Sequence, residues 1–247
     1  MRRARWIGFA VAGLLPATSG AQTLDEIVAK HLAARGGADR IAAIESLRMT
    51  GKARAPEGRE AVVVREVKRP GRLRMEFTAQ GVTGVYAYDG KQGWRVSPFD
   101  GQLEPGPMPP EGTQAAIEQA DIGGPLVDWK AKGHRLEVLG REPLGDREAW
   151  KLRLTLSNGE VRHLYLDSRS YLHVRTEATR DVRGRRLEME TTFGDYKETD
   201  GVLFPRTVEV GVKGRPARLR IRVDKVEVNP PLDDARFRMP EALSPSR

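Results

Sequence analysis

The sequence predicts a mainly antiparallel β fold with a few helices, and three observations carry that class. Apolar and polar residues alternate with period two along most of the chain, as in "RLRMEF", where Leu73, Met75 and Phe77 oppose Arg72, Arg74 and Glu76. Turn signals such as "PEG", "RPG", "DGKQG", "SNG", "DSRS", "TDG" and "KG" separate these runs. No strand-then-crossover-helix pattern and no internal repeat appears, so consecutive strands are expected to pair as an antiparallel meander.

The elements follow in order. Arg2, Arg3 and Arg5, the apolar "WIGFAVAGLLPA" and the small residues "SGA" before Gln22 form a secretory signal spanning residues 1–21, cleaved about after Ala21. The apolar run is shorter than the roughly 20 residues that cross a bilayer. A bacterial periplasm is the expected compartment. Cysteine is absent, so no acylated N-terminal Cys is expected, and residues 22–247 should form one soluble domain without disulfides. Thr23 and Glu26 make a capping box that opens a helical segment to about residue 46. Leu24, Ile27, Val28, His31 and Leu32 share its packed face, and "RGGADR" interrupts it.

Strands are expected near 47–55, 60–68, 72–78, 83–88 and 93–98. The Pro-rich "EPGPMPPEG" reads as a loop that cannot pair. A second helical segment is expected over about 111–132, broken at "DIGGP". Strands resume near 135–141, 148–156, 160–167, 171–180, 185–196, 202–212 and 216–228.

Catalytic signatures are missing. There is no HExxH, no GxSxG and no Gly-rich phosphate loop, and thiolate chemistry is impossible without cysteine. His31, His134, His163 and His173 lack a third ligand at recognisable spacing. No enzyme activity, metal or cofactor is expected. The net charge of +8 is spread among interleaved acids, as in "RLEVLGRE", so nucleic acid is not an expected partner. The basic excess favours transient contact with anionic membrane surfaces.

Apolar strand faces include Leu73/Met75/Phe77, Trp94/Val96 and Trp150/Leu152/Leu154. Two helical segments must cover a sheet of about eleven strands, and a sheet that wide curls. The pattern leaves two outcomes open: a packed interior, or an apolar cavity of the kind larger barrels enclose.

Four stretches in order resemble one family. "VKRP", "DGKQGW" with "SPF", "FGDYKETDGVLFP" and "PLDDARFRMP" are similar to segments of the periplasmic lipoprotein carriers, the LolA/LolB-like superfamily with its outer-membrane lipoprotein-sorting branch. The resemblance runs from Val67 to Pro240. It implies an unclosed half β-barrel under a helical lid made by the segments 23–46 and 111–132. It further implies a carrier that holds lipid or lipoprotein acyl chains in an apolar cavity and moves them toward the outer membrane. Inner- and outer-membrane proteins would meet it at either end. Leu73, Met75, Phe77, Trp94, Val96, Leu152 and Leu154, from the apolar strand faces, are the expected walls of such a cavity. Arg69, before Pro70, matches the family's latch, an arginine that bonds lid carbonyls; its forked donors suit that task. Leu126, Val127 and Trp129 belong to the implied lid, with Gly123, Gly124 and Pro125 as its hinge. The chain is longer than the compact carriers, with extra strand sequence after residue 140. The same fold also serves periplasmic sensors, so a sensor or scaffold acting on a membrane-anchored partner is the second expected role.

Overall fold

The computed structural model describes residues 22–182 and 184–240; the expected signal peptide lies outside them. Helices α1 (Leu24–Ala34) and α2 (Ala38–Ala42) precede strands β1 (Ser46–Arg54), β2 (Glu60–Lys68), β3 (Arg72–Ala79), β4 (Val82–Tyr88), β5 (Gly93–Ser97) and β6 (Gln102–Pro107). Helix α3 (Pro110–Gln119) leads to β7 (Arg135–Leu144), β8 (Arg147–Thr155), β9 (Val161–Asp167) and β10 (His173–Val182). The last strands are β11 (Arg185–Thr199), β12 (Val202–Val212) and β13 (Arg218–Val228).

All thirteen strands belong to one antiparallel sheet in the order β6-β5-β4-β3-β2-β1-β13-β12-β11-β10-β9-β8-β7. Two meanders thus meet where the first strand pairs the last. The sheet is unclosed: β6 and β7 are edges without partners among the described residues. The expected half-barrel class holds, with two strands more than the count of about eleven read from the pattern.

Two expectations are corrected. β6 runs through Pro105 and Pro107, within the stretch read as an unpaired loop, and pairs Trp94 with Pro107 and Arg95 with Gly106. Proline is tolerated there because an edge strand turns one row of its backbone groups away from the ladder. The second helix stops at Gln119; residues 122–133 are a run of turns carrying Gly123 and Gly124, the latter at a φ of 80°. Glycine supplies this left-handed conformation without steric cost.

The helices all pack on one face of the sheet, the inner face, but they do not cover it. α1 is held at its start by the capping box, Thr23 Oγ1 accepting from Glu26 N and Glu26 from Thr23 N. It sets Ile27 and Val28 on Leu136, Trp150, Leu152, Leu154, Leu164 and Leu166. α2 and α3 place Ile41, Ala116 and Ala120 on Leu47, Val67 and Leu73. The central strands between these two clusters present apolar side chains with no helix above them.

The outer face carries charge, as the alternation predicted, yet part of it is not in water. The segment after β13 lies across β2, β3 and β5. Lys68 donates to Leu232 O and Asp234 at 2.7 Å. Arg236 makes a forked pair with buried Glu66, which also accepts from Arg48 at 2.9 Å. Trp94 Nε1 donates to Phe237 O at 2.7 Å. Arginines of the "RLRMEF" strand therefore serve as tail anchors: Arg74 reaches Arg236 O at 3.0 Å.

Candidate functional site

A cavity of about 640 Å³ opens on the inner face between the two clusters. That lies within the roughly 300–1,000 Å³ usual for small-molecule sites. Its wall comes from strands that alternate: Met49, Val63 and Met75 on one side, Met189, Phe193 and Val208 on the other, with Ile221 and Val223 of β13 between them. Cross-strand pairs explain the grouping. Arg65 faces both Met49 and Met75, and Val208 faces both Ile221 and Phe193, so each row lies on one side of the sheet.

The cover is the strap after α3. Ile122 and Val127 join the core cluster under α2, while Leu126 joins the cluster under α1, so the strap crosses the cavity and is seated on both banks. Three cations hold its carbonyls. Arg65 Nη2 donates to Gln119 O, Arg35 Nη1 to Gly123 O at 2.7 Å and Lys132 Nζ to Gly124 O at 2.9 Å. At one rim Glu118 pairs with Arg162 and Arg180.

Polar groups inside are desolvated. Burial lowers His31 to about 4, although its Nδ1–H donates to Tyr171 O at 2.8 Å and so opposes the fall. Burial, then the nearby His31, lowers His173 to about 3. Both imidazoles are neutral. Tyr196 is pushed up to about 12 by burial while donating to His173 O at 2.6 Å. Burial also depresses the Arg65 guanidinium to about 10. Arg65 is half-buried and lines the cavity.

The sequence-predicted residues fall in different places. Of the seven expected wall residues, Met75 lines the cavity. Leu73 is packed under α2, and Leu152 and Leu154 under α1. Phe77 shares the inner face and stacks edge-on against Tyr86, ring centres 5.9 Å apart. Trp94 and Val96 pair with Ala87 and Val85, and this register sets them on the outer face, Trp94 beneath the C-terminal segment. In the strap Leu126 lines the cavity, while Val127 and Trp129 pack against its banks. Arg69 Nε donates to Ile44 O at 2.7 Å and Nη2 to Ile41 O at 3.4 Å, gripping the end of α2 and the residues after it. His163 and His173 lie on opposite faces: His163 sits opposite Glu177 outside, and a register shift between His173 and Arg175 turns His173 inward.

Arg35 and Arg65 went unread, although both left a signal. Arg65 interrupts the inward row Val63-Arg65-Val67 of β2, where an apolar residue belongs. Arg35 follows His31 by four residues, on the packed side of α1.

No family model matches the chain, and no curated protein matches it. Solved structures do. The chain is similar to a putative outer membrane lipoprotein-sorting protein domain from Vibrio parahaemolyticus, at 15% identity and a TM-score of 0.56, over 86% of this chain and 94% of that one. It is similar to a LolA superfamily protein from Nitrosomonas europaea, at 15% identity and a TM-score of 0.55, over 88% and 98% of the two chains. A DUF1329 family protein from Desulfovibrio piger aligns at 10% identity and a TM-score of 0.59, again over 88% and 98%. Identities of 10–15% speak for architecture alone, and that architecture agrees with the topology: this chain has the LolA-like fold, an unclosed antiparallel barrel with helices packed on its inner face.

Proposed function

We propose that this chain is a periplasmic carrier that holds lipid or lipoprotein acyl chains in its cavity and passes them toward the outer membrane without catalysis. The observation that supports this reading is an apolar-walled hollow of about 640 Å³ under a strap held by a few hydrogen bonds. Each CH₂ moved from water into such a wall gains about 0.8 kcal/mol, so a long chain binds strongly. Release then requires a cover that opens at small cost, and hydrogen bonds worth about 1 kcal/mol net each suit that task. Methionines at three wall positions adapt to a guest of changing shape. Inner- and outer-membrane proteins are the proposed donors and acceptors.

Native purification followed by lipid extraction and mass spectrometry tests the reading. Acyl lipid in stoichiometric amount is expected. Lipid-free protein that also fails to take up a fluorescent fatty acid defeats it. Arg69 is proposed as a latch acting through α2, whose Ile41 shares a core cluster with Ile122 and Val127 of the strap. Arg69→Leu removes two carbonyl bonds and is expected to speed release of a bound fluorescent fatty acid by about tenfold, with an unchanged far-UV spectrum. Equal release rates in variant and wild type remove Arg69 from that role.

A further inference from the structure

Four guanidiniums, those of Arg35, Arg65, Arg162 and Arg180, line the cavity against two carboxylates, Glu118 and Asp121. Both carboxylates are engaged. Glu118 pairs with Arg162 and Arg180, which share Glu160 as well, and Asp121 lies 2.6 Å from Lys132 Nζ. Arg35 and Arg65 have no carboxylate within ion-pair distance among the described residues. Each gives one hydrogen bond to a backbone carbonyl, at Gly123 and at Gln119. Arg65 Nη1 also reaches Met49 Sδ at 3.8 Å, and Arg65 Nε is buried with no partner among the described residues. Neither imidazole nearby, His31 or His173, supplies charge or accepts from the arginines, since burial keeps both neutral and their hydrogen-bonded nitrogens donate to the backbone carbonyls of Tyr171 and Arg175.

Asp121 lies near enough to act on both, but it is held by Lys132, and two partly desolvated cations beside an apolar wall remain costly unless an anion meets them directly. Guanidinium forks are suited to carboxylate and phosphate oxygens, and such bonds strengthen in a site shielded from water. An uncharged guest would leave the cost standing. An amphiphile with an oxyanion at one end would offset it and still bury its chain.

Building on the carrier reading, we propose that the cargo is an amphiphile with an anionic oxygen headgroup, seated on Arg35 and Arg65 beneath the 119–124 strap, its chain running along Met49, Met75, Met189 and Phe193. The headgroup bonds then join the cargo to the same two arginines that fasten the strap, so loading and closure draw on shared donors.

Three probes of equal chain length test this on the protein lacking residues 1–21: palmitate, hexadecyl phosphate and 1-hexadecanol, by titration calorimetry. At least one of the two anions is expected to bind about ten- to a hundredfold tighter than the alcohol. The preferred anion tells a carboxylate cargo from a phosphate one. In Arg35→Met and Arg65→Met the anion-to-alcohol ratio should fall toward unity, and Arg65→Lys should keep part of it. The ratio is taken within each variant, so a loosened strap alone does not move it. Alcohol binding as tight as both anions in the unsubstituted protein overturns the headgroup site and leaves the carrier reading standing. Binding of none of the three defeats both. A variant that fails to fold does not rescue the inference, because the ratio in the unsubstituted protein already decides it.

Discussion

A Gly51→Ala variant is expected to lose about 3 kcal/mol of folding stability, read as a lowered urea midpoint. Gly51 sits at the register shift of β1, opposite Val223 of β13. A Cβ at this position would lie 2.0 Å from the carbonyl oxygen of Arg222 and 2.9 Å from its carbonyl carbon. These are backbone atoms of a paired strand, so no side chain can swing aside. The pairing that must yield is the seam between the two meanders, β1 against β13, and no other ladder joins them among the described residues. Gly194→Ala in β11 is the matched control: its Cβ would meet nothing within 4 Å, and a change of under about 1 kcal/mol is expected. Equal midpoints for the two variants would refute the close approach.

Acid should weaken the fold through the two inner histidines. Burial holds His31 at about 4 and His173 at about 3, against an ordinary value of 6.5. Below pH 6.5 the unfolded imidazoles take up protons that the folded ones refuse, so the unfolded state binds more protons and stability rises with pH. Their contribution is whole above pH 6.5 and declines as pH falls toward 4 and then 3. For His31 alone the shift corresponds to about 3 kcal/mol. Chemical unfolding at steps between pH 7 and pH 4 should therefore show falling stability, with a shallower slope in His31→Gln. Parallel slopes for the variant and the unsubstituted protein contradict this account. Asp167 and Glu177, which burial pushes up but the hydrogen bonds they accept from Ser170 and Lys213 hold below the ordinary carboxylate range, add to the loss only at lower pH, in variant and parent alike.

The strands were legible because side-chain alternation is a local property. Leu73, Met75 and Phe77 do share the inner face, and Leu152 and Leu154 lie on it too. What alternation does not report is the phase of one strand against the next. Trp94 and Val96 make as good an apolar row as Leu73 and Met75, yet the β4–β5 register turns them outward. There the tail, far away in sequence, covers Trp94. The position of the hollow was illegible for a related reason. Which apolar residues stay bare depends on where three short helices come to rest, and that is a tertiary outcome. Leu152 is walled in by α1 while Met189 is not, though both look alike in the sequence. Arg65 shows the opposite case, a local anomaly whose meaning needs the strap beside it.

The placement of β13 next to β1 has a consequence for how the chain is made. Residue 54 waits for residue 220 as its partner, so the middle of the sheet is completed only when a strand far later in the sequence arrives. Contacts this distant along the chain favour slow folding, on the scale of milliseconds to seconds. A polypeptide emerging in order, from a ribosome or through a translocation channel, keeps β1 half-paired until β13 is through. Premature completion is thereby ruled out by topology itself.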